Sequence, residues 1–329
     1  RDEEFVDLAE RIVRLGRDFF ADHAEHPYYL ISLIQVGKRG MSSWGGTGLT
    51  DSFALFMTSD NTLATSPEGG GVAWLLAHEL FHEWNGHTIT LAQPEELGYW
   101  FSEGFTDFYA RRLLAHARLL TSEQELASWN QRLAAYAVNP ERHAPATRVQ
   151  EAFWTVRAVG ELPYQRGDVL ALFVDHAIRG RTQGAQSLDD LMRSLVARAR
   201  VGAEPFTSAA LAAAIGEFAG AETGAAVRAW ALDGREPGFP AELGLPGLRL
   251  VASDVPSFDT GFDHDASVQG GVVRGVLAGG PASAAGLRDG LRFLGWSVNH
   301  GNASQPVEIT VQDGAATRTL RYLPHGKTI

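Results

Sequence analysis

No cysteine occurs anywhere in the chain. That excludes a disulfide framework and thiolate metal ligands, so any bound zinc must be held by His, Asp or Glu. Lysine is nearly absent too, with Lys38 and Lys327 standing against abundant arginine. Together with the wealth of alanine and glycine, this reads as a GC-rich bacterial coding bias. No apolar run reaches the ~18 residues that a membrane-spanning helix needs. Positive charge is in deficit, at a net charge of -11, which argues against a nucleic-acid partner. Lack of cysteine does not fix the compartment, and bacterial cytoplasm and periplasm both stay open. The chain starts on Arg1 rather than Met and is helical at once: Phe5, Leu8, Ile12, Leu15 and Phe19 recur at spacings of three and four. The expectation is a piece cut from a longer protein.

What is present suggests about two domains in 329 residues. Tyr28 to Val36 and Ser52 to Thr58 read as strands, separated by a glycine-rich turn, Gly45-Gly46-Thr47-Gly48. From Val72 the pattern becomes helical, with helices expected near 71–91, 102–119, 122–137, 148–159, 166–179, 187–200, 207–219 and 221–231. A Pro/Gly cluster at 233–247 is the linker candidate. Beyond it VQGGVVRGVLAGG, FLGWSV, VEITVQ and TRTLRYL read as short strands. The fold class is α+β: a catalytic domain at 1–236 and a small β-rich module at 237–329.

The strongest chemical signal is His78-Glu79-Leu80-Phe81-His82. Residues four apart share a helix face, so both imidazoles can reach one ion. Glu79, one residue on, points beside that ion, where a general base would act on a water. Zinc takes tetrahedral N and O donors, and a catalytic site keeps one position open, so a third ligand is needed. Glu103 is the candidate, in Tyr99-Trp100-Phe101-Ser102-Glu103-Gly104-Phe105-Thr106-Asp107 at the start of the next expected helix. Trp74, Leu75, Leu76, Phe81 and Trp84 make the first helix too apolar for a solvated surface.

HELFHEWN followed by WFSEGFTDFY resembles the gluzincin metallopeptidases, and among them the glycyl-aminopeptidase-like family with a C-terminal PDZ domain. The resemblance covers nearly the whole chain. It implies a thermolysin-like catalytic domain, one Zn2+ per chain held by His78, His82 and Glu103, and Glu79 as general base. It implies that Asp107 orients a zinc-bound histidine. Pro163-Tyr164-Gln165-Arg166-Gly167 matches a family motif, with Arg in place of Lys, whose tyrosine donates to the oxyanion; that role falls to Tyr164. His87, His116, His143 and His176 read as surface or packing residues.

The chain departs from the family at one turn. Relatives carry a GGLEH-like sequence there, whose glutamate captures a free amine. Here Gly45 and Gly46 are kept, but Gly48 stands where the glutamate would be. Asp51, Glu95 and Glu96 are possible replacements. The strand from Ser52 can still pair with an extended peptide, so Gly45, Gly46 and Ser52 are the substrate-binding candidates. Within 237–329, Gly280-Pro281-Ala282-Ser283-Ala284-Ala285-Gly286-Leu287 and Asp289-Gly290 resemble PDZ motifs. Thr260-Gly261-Phe262-Asp263 is a candidate carboxylate-binding loop for a peptide C-terminus, although the stretch after Trp296 is short for a groove helix. The expected function is zinc-dependent hydrolysis of a peptide or protein substrate, as aminopeptidase or endopeptidase. The alternatives are a catalytically weak zinc-binding, PDZ-type interaction protein and a zinc hydrolase of a non-peptide amide.

Overall fold

The structure, a computed structural model, describes residues 2–22, 28–36, 44–49, 51–58, 63, 71–202, 204–243 and 249–328. Two compact units result: Arg1–Tyr136 with Pro140–Leu250, and Val251–Ile329 with Ala137–Asn139. Part of the linker candidate, 244–247, lies outside the described residues.

The first unit opens with α1 (Asp2–Phe20), whose apolar stripe buries Phe5, Leu8, Ile12 and Phe20. Next come β1 (Leu30–Gln35), β2 (Trp44–Leu49) and β3 (Ser52–Met57), in the spatial order β1-β3-β2. Strand β1 runs parallel to β3, and β2 runs antiparallel to it. This corrects two expectations. The glycine segment is a strand rather than a turn, held by its pairing with β3 from Trp44–Met57 to Leu49–Ser52. Glycine has little preference for strands, so its sequence hides this role. Strand β3 is central, and Ser52 pairs with Leu30 on one side and Leu49 on the other, so it is not an edge for substrate. Within this sheet β2 is the edge that packs on the helix carrying His78.

The helices are α2 (Val72–Phe81), α3 (Tyr99–Ser102), α4 (Gly104–His116), α5 (Ser122–Val138), α6 (Ala146–Ala152), α7 (Arg157–Thr182), α8 (Leu188–Arg200), α9 (Ser208–Ala219) and α10 (Ala221–Asp233). The expected helix 71–91 breaks after Phe81. A π-helical turn follows at Glu83–Thr88, and inside it Asn85 and Gly86 leave helical backbone values. The expected helix 148–159 is split between α6 and α7. Helix α7 also starts nine residues earlier than the proline suggests, at Arg157 instead of 166, and carries Pro163 inside it. Proline disfavours a helix interior, but Leu162 and Pro163 are both buried, and packing overrides the local preference.

Two glycines set how α4 and α7 cross. A Cβ on Gly104 would lie 2.2 Å from the Gly167 Cα, and one on Gly167 would lie 1.9 Å from the Trp100 carbonyl oxygen. The main chains therefore touch, at a point one residue after Glu103 and three after Tyr164. Arg166, also buried, donates to the carbonyls of Arg142 at 2.9 Å and Ala144 at 2.6 Å, tying α7 to the loop that precedes α6. Among the described residues, no helix is long and apolar enough to cross a membrane.

The second unit holds β4 (Pro256–Phe258) paired with β8 (His325–Thr328), and an antiparallel sheet of β5 (Arg292–Ser297), β6 (Val307–Asp313) and β7 (Ala316–Tyr322). The last three expected strands match β5, β6 and β7. The first does not: its start lies in α11 (His264–Gly270), capped by Asp263 accepting from the Ala266 amide at 2.9 Å. The rest makes one isolated bridge, Val272 to Arg292. Phe262, Val273, Leu287, Phe293, Val307, Ile309 and Val311 form this unit's core. The Gly-Pro-Ala segment gives α12 (Pro281–Ala284), which buries Ala282 and ends before Gly286 at φ 92°.

Candidate metal centre

Helix α2 is buried on nearly every face, with Phe81 and Leu76 at its core. It presents His78 and His82, one turn apart, toward the kink between α3 and α4 where Glu103 sits. His78 Nε2 lies 3.0 Å from His82 Nε2 and 3.4 Å from Glu103 Oε2, and His82 Nε2 is 3.5 Å from that same oxygen. Tetrahedral zinc with ~2.0–2.1 Å bonds sets its ligand atoms roughly 3.3 Å apart.

The outer ring nitrogens fix the inner ones. His78 Nδ1 donates to Asp107 Oδ1 at 2.9 Å, and His82 Nδ1 donates to the Asn85 carbonyl at 3.1 Å. A carboxylate and a carbonyl accept only, so in the neutral rings the Nδ1 atoms carry the protons and the Nε2 lone pairs face inward. The break in the helix at Asn85 is what turns that carbonyl toward His82. The Asn85 side-chain amide donates to the Phe101 carbonyl at 3.0 Å, the Ser102 carbonyl at 3.3 Å and Thr106 Oγ1 at 3.1 Å. One buried residue thus holds the second histidine and the chain leading into Glu103. Its side-chain role was missed in sequence, although it closes the HELFHEWN stretch.

The electrostatics call for a cation. Burial opposes a charge on His78, but hydrogen bonds and attraction from Asp107 and Glu103 outweigh it and push the imidazole up to about 10. Burial would raise Glu103, yet the two histidines hold it well below the ordinary carboxylate range. Asp107 is lowered likewise against its burial, chiefly by Arg132 and then by His78. Without metal, His78 therefore carries a proton where the cation would sit. Zinc uptake by the metal-free protein at roughly pH 7 to 9 should release at least about one proton. Calorimetry in buffers of different ionisation enthalpy reads this, and proton-neutral uptake would contradict it.

Glu79 stands beside the cluster, half-buried under β2. A Cβ on Gly46 would lie 3.0 Å from Glu79 Oε1, and one on Gly48 would lie 3.5 Å from Oε2. These two glycines, alternating on one strand face, let the β2 main chain run directly over the Glu79 carboxylate. Tyr164 enters from α7, its ring stacked on His78 at 6.2 Å and 27°, and its hydroxyl interacts with Glu103. Burial first, then Glu103, holds this phenol well above the ordinary tyrosine range, so it stays a donor. The structure thus brings together His78, Glu79, His82, Glu103, Asp107 and Tyr164, with Gly46 against Glu79. Ser52 sits inside the sheet, and a Cβ on Gly45 would meet nothing within 4 Å. Glu83, unremarked in sequence, accepts from the Asp51 amide at 3.0 Å.

Two histidines and a glutamate lie in one cluster that could hold a metal ion, with a carboxylate beside them and acceptors behind. The family model described as "Peptidase family M1 domain" matches residues 7–203, well over half of the 329 residues. The chain belongs to peptidase family M1, the gluzincin hydrolases with a Zn2+ cofactor, and the His78, His82 and Glu103 atoms, all within 4.8 Å of one another, fit that ion. Glutamyl aminopeptidase of Mus musculus is 30% identical over 120 residues, 35% of this chain and 12% of that protein. Aminopeptidase N of Canis lupus familiaris is 30% identical over 112 residues, 32% of this chain and 11% of that protein. The matched stretches are thus a small part of these relatives. The crystal structure of an aminopeptidase N family protein from Idiomarina loihiensis shares the fold at a TM-score of 0.59 and 18% identity, over 99% of this chain and 63% of that one.

Proposed function

We propose that this protein hydrolyses peptide bonds, with His78, His82 and Glu103 holding the zinc, Glu79 as general base and Tyr164 as oxyanion donor. The observation that carries the reading is the convergence of three donor atoms, with Glu79 and Tyr164 flanking them. Zinc held by these three residues would supply a Lewis acid for the scissile carbonyl and would lower the pKa of a water toward ~7. Glu79 takes the proton from the attacking water and delivers it to the leaving amine. Tyr164 donates its O–H to the oxygen on which charge develops. Asp107 and the Asn85 carbonyl keep the two imidazoles aimed throughout. A peptide library digested with and without chelator, and read by mass spectrometry, tests this. Cleavage that stops with chelator and returns with zinc is expected; no cleavage by zinc-loaded protein would overturn the reading.

An extended peptide would lie along β2, whose glycines leave no side chain between it and Glu79. Burying an unpaired ammonium is costly, and Gly48 offers it no carboxylate. N-acetylated peptides should therefore be cut about as well as their free counterparts, compared as matched pairs by kcat/KM. A free-amine preference above about 100-fold would refute this and point to Asp51 or Glu83 as the anchor. We read 1–236 as the catalytic domain and 237–329 as PDZ-like, of the kind found with glycyl-aminopeptidase-like enzymes, with Thr260 to Asp263 as the loop for a peptide C-terminus. The burial of Phe262 and the α12 turn support that reading.

A further inference from the structure

We propose that Arg132 is a positioning residue of the metal centre, holding the His78 ring through Asp107. The proposal rests on the zinc-site reading above. Asp107 spends its two oxygens differently: Oδ1 accepts from His78, and Oδ2 accepts from Arg132. The Arg132 Nε donates onward to Asp168 Oδ2 at 2.9 Å. Asp168 is fully buried and takes a two-pronged bond from Arg111, at 2.8 and 2.7 Å. The Arg111 guanidinium in turn lies 3.8 Å from the Trp129 ring centroid. Charges thus alternate, Arg111, Asp168, Arg132, Asp107, across α4, α7 and α5, and end on a ligand's ring nitrogen.

Each member has a different task. The Arg111–Asp168 pair already joins α4 to α7 and reaches no ligand. Arg132 is the link that touches the carboxylate behind His78. Without it Oδ2 loses its donor, and the side chain is free to turn about its last torsion and carry Oδ1 away from His78 Nδ1. The contact suits arginine over lysine, because two carboxylates in different directions need the spread donors of a guanidinium.

The test is zinc affinity of the full chain, by competition with a chromophoric chelator, together with thermal unfolding of the metal-free protein. Arg132→Met should weaken zinc binding about 10- to 100-fold, the usual scale for removing support behind a ligand. In an Asp107→Asn background the same change should cost no more than about twofold, since the carboxylate it acts on is gone. Unchanged affinity in folded Arg132→Met would overturn the proposal. So would an equal loss in both backgrounds, which would make Arg132 a helix strut. If Arg132→Met does not fold, Arg132→Gln takes its place, with the same two outcomes. Wild type that binds no zinc, or His78→Ala that binds it as tightly as wild type, would sink the zinc-site reading instead.

Discussion

Glu79→Gln should leave the protein its zinc and lower kcat by at least about 100-fold, the lower bound of what a positioned general base contributes. The substitution keeps shape and removes the proton acceptor. Glu79 is not among the three clustered donors, so the metal has no reason to leave. Nor should the fold change, because an amide fills the same space under Gly46 and Gly48. The measurements are kcat at saturating peptide and zinc per chain by elemental analysis. Full zinc with near-normal turnover would remove Glu79 from the mechanism.

Tyr164→Phe should lower kcat by roughly 10²- to 10³-fold, the scale for losing one preorganised oxyanion donor. Only the hydroxyl is deleted, so the ring still stacks on His78. The hydroxyl is a reliable donor, since burial and the nearby Glu103 keep its proton in place. An interaction made only in the transition state lowers kcat and kcat/KM together, whereas lost packing raises KM. A change confined to KM would make Tyr164 a wall for the substrate. Zinc content should stay at the wild-type level.

The centre was legible in sequence to the extent that it is local. His78, Glu79 and His82 share one helical turn, where spacing puts both imidazoles on one face; Glu103 and Asp107 share another, and Asp107 was read from the family resemblance. Tyr164 was found by motif, though its proline hid the helix that carries it. Arg132 and Asp168 left no trace, because their partners lie 25 and 57 residues away along the chain and an arginine on an amphipathic helix looks like surface. Asn85 works partly through its carbonyl, which any residue has; what matters is the break that aims it. Strand β2 was missed because glycines carry no apolar alternation to read. The same lack of side chains lets the strand lie against the base.

The contact between Gly104 and Gly167 fixes a spacing of its own kind. Two main chains that touch have no rotamers through which their separation can drift. An interface of long side chains can creep by fractions of an ångström as it repacks, and a close-packed interior passes such strain along. Here the gap between the phenol on α7 and the carboxylate preceding α4 is gauged by backbone thickness. Softening the core elsewhere should shorten the life of the folded unit well before it blurs that gap. On warming, activity should then hold near full value per folded molecule and vanish with the fold itself, rather than fade ahead of it.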